Sequence, residues 1–118
     1  MTNELNSLVN RYIEAWNETD AGRRRELVAG VWTEDGTYVD PLMSGQGHDA
    51  IAAMIGGAQQ QFPGHRLQLS FGPDAHNEYV RFAWQMFGPD GGDPVVAGAD
   101  FATVEGGRLA SVIGFLES

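Results

Sequence analysis

An acidic residue within an apolar strand is the first candidate for chemistry. Asp100 lies in the middle of residues 95–102, where its neighbours on both faces of the strand are apolar or small. Burying such a carboxyl without a partner costs several kcal/mol, so it should bind a proton or find a donor. A neutral acid in an apolar pocket can donate a hydrogen bond to a developing oxyanion. The alternative is a structural carboxylate that pairs with Arg81 or with the backbone.

Asp40 is the second candidate, because it precedes Pro41 at the end of a predicted strand over residues 37–40. Proline holds the preceding residue extended and has no N–H of its own. This arrangement can present the carboxylate to a cavity as a general base. In a strand, Tyr38 and Asp40 share one face. The alternative is an ordinary turn aspartate, which an Asp-Pro pair often marks.

Tyr12 lies on the apolar side of a predicted helix, so its hydroxyl needs a partner if the residue is buried. The hydroxyl could point into a pocket and donate to an oxyanion. The alternative is a core tyrosine whose hydroxyl is satisfied within the protein.

The three histidines do not form a metal site. His48 is expected to be exposed in the first turn of a helix, His65 to border a pocket mouth, and His76 to lie in a loop. No two of them have metal-ligand spacing, and the chain has no cysteine. There is also no phosphate-binding glycine loop or serine nucleophile elbow. We therefore expect neither a metal nor another cofactor.

Three helices are predicted to position these residues. The first has apolar residues at spacings of three and four, the second is capped by Thr19 or Asp20, and the third ends at residues 62–64. The basic run 23–25 of the second helix is expected to lie in solvent. Residues 34–36 predict a turn and residues 45–47 a loop. The apolar face of the first helix comprises Leu5, Leu8, Val9, Tyr12, Ile13 and Trp16.

The second half of the chain predicts four strands, around residues 67–71, 78–87, 95–104 and 108–116. Helices followed by an antiparallel meander indicate an α+β domain, in which the helices cover one face of a curved sheet. Gly98 and Gly114 suggest bends or bulges that curl the sheet into a cone. We expect a single domain over residues 1–118.

The composition of the chain indicates which kinds of binding partner are to be expected. A chain of 118 residues with 42% hydrophobic and 19% charged residues can bury one core. Its net charge of −9 repels phosphates and anionic lipids, so neither nucleic acid nor a membrane is an expected partner. No stretch approaches the ~20 apolar residues of a membrane span, and no signal peptide is visible. These observations favour a cytoplasmic protein.

The order of these features resembles the nuclear transport factor 2-like fold, also called the cystatin-like α+β barrel. Within it the chain is similar to ketosteroid isomerase-like and SnoaL-like polyketide cyclase proteins. Three segments carry the resemblance: residues 11–17, 39–41 and 95–100. It implies that Tyr12 and a protonated Asp100 donate to the substrate oxyanion and that Asp40 is the general base. Residues 101–103 and the short stretch between Pro41 and Gly47 depart from the isomerases.

The resemblance implies a small hydrophobic ligand and a homodimer that pairs through the sheet face. We expect the pocket to be lined by the substrate-binding residues Tyr38, His65, Trp16, Phe115 and Met54.

Three functions remain open. The first is an isomerase or cyclase in which Asp40 abstracts a proton next to a carbonyl. The second is a hydrolase or dehydratase with a polar cluster of Asp100 and Arg81, which requires the face of Arg81 to be internal. The third is a non-catalytic binding or dimerisation module, in which Phe82, Trp84 and Met86 pack against a second subunit.

Overall fold

The structure is a computed structural model that describes residues 2–117. Met1 and Ser118, the two ends of the predicted domain, lie outside the described residues. The chain forms three helices, α1 (Thr2–Asn17), α2 (Ala21–Val31) and α3 (His48–Gln61). It also forms six strands, β1 (Trp32–Val39), β2 (Ser44–Gln46), β3 (Arg66–His76), β4 (Tyr79–Phe87), β5 (Val96–Glu105) and β6 (Arg108–Glu117).

The helices follow from apolar spacing and capping. The apolar face of α1 is buried from Leu8 to Trp16, and the Asp20 carboxylate caps α2 by accepting from the Arg23 N–H at 2.9 Å. Arg24 does not lie in solvent as predicted, because its guanidinium donates to Gln59 on α3 at 2.9 Å. No helix within residues 2–117 is both long and apolar enough to cross a membrane.

All six strands form one sheet in the order β2-β1-β6-β5-β4-β3. Every neighbouring pair is antiparallel except β1 and β6, which run parallel. The predicted α+β class with a curved sheet under three helices is confirmed, and the parallel pair makes the sheet mixed. This pair places the end of β1, and therefore Asp40, beside the middle of β6.

The first strand is longer than predicted. Residues 34–36 lie within β1 as an irregularity in its register with β6, and the expected turn there is wrong. Gly36 fits because a Cβ at this position would approach the Trp32 indole to 2.8 Å. The expected loop at residues 45–47 is also wrong in part, since Ser44–Gln46 pairs with β1 as β2.

The two faces of the sheet differ sharply. Along β4, Val80, Phe82, Trp84 and Met86 are buried, and Arg81 between them is exposed. The interior face therefore carries the apolar set of β4. The opposite face exposes several large apolar side chains, which we call the outer patch: Phe71, Tyr79, Phe101, Ile113 and Phe115.

Gly98 and Gly114 do not form bulges, because the pairing of β5 with β6 runs uninterrupted past both. Each instead leaves room for a neighbour. A Cβ on Gly98 would collide with the indole of Trp84.

Candidate functional site

A cavity of about 120 Å³ lies between the helices and the interior face of the sheet. Its walls are mostly apolar, including Leu67, Trp84, Met86 and Val96. Six of the eight residues predicted from sequence line it: Tyr12, Trp16, Tyr38, Asp40, His65 and Asp100. Larger depressions elsewhere on the surface do not contain both aspartates.

Asp100 lies at the closed end of this cavity. Its position in β5 opposite Phe82 and Gly114 turns the side chain inward, and only 1% of the residue is exposed. Oδ2 accepts a hydrogen bond from the Tyr12 hydroxyl at 2.6 Å. Oδ1 is buried without a hydrogen-bond partner among the described residues. Tyr12 therefore holds one oxygen of Asp100, and the Trp84 indole lies near the carboxyl without forming a hydrogen bond to Oδ1.

The protonation of this pair follows from burial. Desolvation raises the pKa of Asp100 to about 6, although the Tyr12 hydroxyl and the Trp84 indole oppose this rise by favouring the carboxylate. The charge of Asp40 adds to the rise. Burial and the charge of Asp100 raise the pKa of Tyr12 well above its ordinary value, so Tyr12 stays protonated. Asp100 thus changes charge near pH 6.

Asp40 is oriented by three donors. Its side chain turns back over residues 41–43, where Oδ1 accepts from the N–H groups of Leu42 at 2.8 Å and Met43 at 2.9 Å. Oδ2 accepts from the Tyr38 hydroxyl at 2.6 Å. Since a carboxylate offers about four acceptor positions, one remains for a proton or ligand. Burial and the charges of Asp100 and Asp40 raise the pKa of Tyr38, which keeps it a donor.

Gly114 is the point at which the two pairs meet. A Cβ on this residue would lie 3.0 Å from Asp100 Oδ1, 3.1 Å from the Tyr38 hydroxyl and 3.2 Å from the Cβ of Asp40. The Tyr12–Asp100 pair and the Tyr38–Asp40 pair therefore converge on one small space. Glycine at this position allows both pairs to approach the backbone of β6 more closely than a side chain would permit.

The mouth of the cavity is lined by apolar side chains that are partly exposed to solvent. Leu42, Phe62 and Leu116 are 70%, 39% and 38% exposed, in contrast to the buried pairs at the other end. His65 packs its ring edge-on against Phe62 at 5.5 Å. Its Nδ1 lies 3.0 Å from the Pro63 carbonyl oxygen, which can only accept, so Nδ1 donates there.

Two predicted lining residues do not reach the cavity. Phe115 lies on the outer face, 54% exposed and packed against Phe101 at 5.7 Å, because it has the opposite parity to Gly114 along β6. Met54 packs against the core from α3 and does not line the cavity. Their apolar character indicated burial, and the sequence alone did not indicate on which side.

His48 is not exposed as expected. It is half-buried, and its Nε2 donates to the Trp32 carbonyl at 2.9 Å, because the irregular start of β1 brings that carbonyl to the first turn of α3. His76 lies at the end of β3 instead of in a loop, and it is exposed. Within residues 2–117, no group of three metal-binding side chains comes together.

Arg81 is exposed and forms an ion pair with Asp74 at 2.9 Å on the surface. It therefore neither pairs with Asp100 nor enters a polar cluster with it. The condition that the hydrolase or dehydratase hypothesis set, an internal face for Arg81, is not met. The expected subunit contact of Phe82, Trp84 and Met86 is also wrong, since all three are buried in the interior.

Trp84, Met86 and Leu67 are lining residues that the sequence analysis did not assign to the cavity. The sequence indicated two of them through the alternation of apolar and polar residues in β4, where Trp84 and Met86 share a face with the fully buried Phe82. Choosing between the cavity and an outer interface required the position of the helices.

The fold and the site together define a cone-shaped α+β protein with two aspartates in an apolar pocket. A sequence model of the SnoaL-like domain matches residues 9–112, and the chain therefore belongs to the SnoaL-like family. No sequence among proteins of curated function matches it.

Solved structures give the same result. The chain is similar to a candidate isomerase of the SnoaL-like family from Agrobacterium tumefaciens, with 46% identity, full coverage of both chains and a TM-score of 0.92. It is also similar to a candidate ketosteroid isomerase from Kribbella flavida, with 22% identity, coverage of 99% and 80%, and a TM-score of 0.72. A candidate SnoaL-like polyketide cyclase from Jannaschia sp. has 13% identity, coverage of 98% and 87%, and a TM-score of 0.78. The last two show likeness of fold.

Proposed function

We propose that this protein is an isomerase or cyclase that acts on a small carbonyl compound by acid–base chemistry. The observation that supports it most is the convergence at Gly114, where Asp100 Oδ1 and the Tyr38 hydroxyl lie within 3.1 Å of one point. A ligand in the cavity beside this point would have two carboxyl groups within reach, Asp40 to take a proton and Asp100 to donate one.

In the proposed reaction, the Asp40 carboxylate takes a proton from the carbon next to the substrate carbonyl. The electron pair of that C–H bond moves to the carbonyl, and the enolate oxygen accepts a hydrogen bond from neutral Asp100. Tyr12 supports Asp100 through its bond to Oδ2. Return of the proton to a different carbon completes an isomerisation. In a cyclisation, the enolate carbon instead forms a C–C bond to a second carbonyl of the same substrate, and the resulting alkoxide takes the proton from Asp40.

The apolar walls contribute to this chemistry. Charges that develop within them interact more strongly than in water, because the local dielectric constant is low. The same burial that raises the pKa of Asp100 keeps a neutral donor available at mildly acidic pH. Tyr38 holds one oxygen of Asp40 and thereby aims the remaining acceptor position at the ligand.

The test is Asp40→Asn, measured by exchange of the α-protons of a small cyclic ketone for deuterium and by conversion of a β,γ-unsaturated cyclic ketone. Loss of a general base typically costs 10²–10⁴-fold in rate, so we expect a loss of that order with an unchanged circular dichroism spectrum. Asp35→Asn is the matched control, because Asp35 lies on β1, the strand that ends just before Asp40, and is exposed. Equal rates for wild type and Asp40→Asn would refute the assignment, and ketone binding without any exchange would indicate a non-catalytic binding protein.

We also propose that two copies pair through the outer patch of the sheet. Phe101 and Phe115 form an edge-to-face pair at its centre, both about half exposed. Contiguous apolar surface of this kind is typical of interaction sites. The pairing would leave the cavity free, because the cavity lies on the opposite face.

A further inference from the structure

Two buried polar atoms in the cavity lining lack hydrogen-bond partners among residues 2–117. They are Oδ1 of Asp100 and Nε1 of Trp16, which belong to residues that are 1% and 9% exposed. Buried polar atoms without partners are rare in proteins, and each calls for an explanation. Two that line one cavity indicate that the partner comes from the contents of the cavity.

Both atoms lie near the Tyr12 hydroxyl. That hydroxyl donates its only proton to Asp100 Oδ2 at 2.6 Å, so it has none left for a ligand. The Trp16 N–H lies near the same hydroxyl and acts to lower the pKa of Tyr12, although the contact falls short of hydrogen-bond geometry. The direct donors for a ligand oxygen are therefore the Trp16 N–H and the free oxygen of protonated Asp100, with Tyr12 acting through Asp100.

The size of the cavity limits the ligand. Its volume is about 120 Å³, whereas pockets for drug-sized ligands have roughly 300–1,000 Å³. An apolar protein cavity of ~150 Å³ is known to hold benzene. A single ring of about six atoms with one oxygen thus fills this cavity, and fused rings would have to protrude past Leu42 and Phe62 at the mouth.

We propose that the ligand is a single-ring or similarly small carbonyl compound whose oxygen accepts a hydrogen bond from Trp16 Nε1 and meets Oδ1 of Asp100. This inference rests on the proposed function for the choice of a carbonyl. It adds Trp16 as a specificity residue and makes Tyr12 a positioning residue.

The experiment compares cyclohexanone with methylenecyclohexane, which has the same shape but no oxygen, by following the indole N–H resonances in ¹H–¹⁵N spectra below pH 6. The chain has three tryptophans, and Trp16→Phe identifies the resonance of Trp16. Cyclohexanone is expected to move this resonance downfield, and methylenecyclohexane is not. Trp32 is the internal control, since its indole already donates to the Thr37 carbonyl at 3.3 Å, and its resonance should not move.

Affinities measured in the same titrations complete the test. Trp16→Phe should weaken cyclohexanone roughly fivefold to tenfold, the worth of one hydrogen bond, and leave methylenecyclohexane within about twofold. A fused two-ring ketone should bind no more tightly than cyclohexanone despite its larger apolar area.

Equal weakening of both ligands by Trp16→Phe, an unmoved Trp16 resonance, no cyclohexanone binding, or much tighter binding of the two-ring ketone would each overturn the inference. Binding as expected with no proton exchange in the wild type would instead refute the proposed function and leave the ligand site standing.

Discussion

Asp100→Asn should make the protein more stable at neutral pH. The amide has nearly the shape of the carboxyl, and its oxygen can still accept the Tyr12 hydroxyl proton that Asp100 accepts at 2.6 Å. It cannot ionise. The substitution therefore removes the cost of a charge at a site that is 1% exposed and changes little else.

The size of the effect follows from linkage. The pKa of Asp100 is about 6 in the folded protein, and its ordinary value of 3.8 applies to the unfolded chain. Between these values the folded state binds more protons than the unfolded state, so stability falls as the pH rises from about 4 to 6. Each unit between the two pKa values is worth about 1.4 kcal/mol, so the full cost above pH 6 is about 3 kcal/mol.

The assay is urea unfolding of wild type and Asp100→Asn from pH 4 to pH 8. We expect the stability advantage of the variant to grow by about 2 kcal/mol between pH 4 and pH 7 and then to level off. Asp74→Asn is the control, because Asp74 forms only a surface ion pair with Arg81, and its effect should stay below about 1 kcal/mol. The reasoning would be refuted if the difference in unfolding free energy between Asp100→Asn and the wild type were independent of pH. It would also be refuted if the variant became less stable relative to the wild type as the pH rises.

Two further predictions concern the convergence point and the outer patch. Gly114→Ala places a methyl group 3.0 Å from Asp100 Oδ1 and 3.1 Å from the Tyr38 hydroxyl. Ketone turnover should therefore fall more than tenfold, while the free energy of unfolding drops by only about 1–3 kcal/mol. Undiminished turnover would contradict the role given to Gly114. Phe101→Ser with Phe115→Ser should convert a dimer to a monomer in sedimentation experiments with turnover per chain retained; a wild type that sediments as a monomer would rule out the pairing.

The parts of the site that were predictable from sequence are those set by local pattern. Asp100 stood out because no other charge lies within residues 95–104, and the structure buries it almost completely. Tyr12 followed from the helical spacing of α1, and its buried hydroxyl has the partner that burial requires. The shared face of Tyr38 and Asp40 was predicted from a strand over residues 37–40. The strand ends at Val39, but the two side chains are hydrogen-bonded.

The features that were not predictable depend on long-range packing. Glu34, Asp35 and Gly36 have the composition of a turn, but the buried Trp32 and the pairing with β6 hold them in an irregular strand. The parallel alignment of β1 with β6 has no local signal either. Phe115 was assigned to the wrong side because an apolar strand shows its period but not which face meets the helices.

The resemblance to the isomerases predicted Tyr12 and Asp40 as catalytic residues, and the hydrogen bonds in the structure change the roles that these residues can have. The Tyr12 hydroxyl donates its proton to Asp100, and the Tyr38 hydroxyl donates its proton to Asp40. Each tyrosine is therefore hydrogen-bonded to one of the two carboxyl groups. The groups left to meet a ligand include the fourth acceptor position of Asp40, Oδ1 of Asp100 and the Trp16 N–H. The proposed proton transfer rests on this arrangement, in which one carboxylate accepts and one carboxyl can donate, and both line the same cavity next to Gly114.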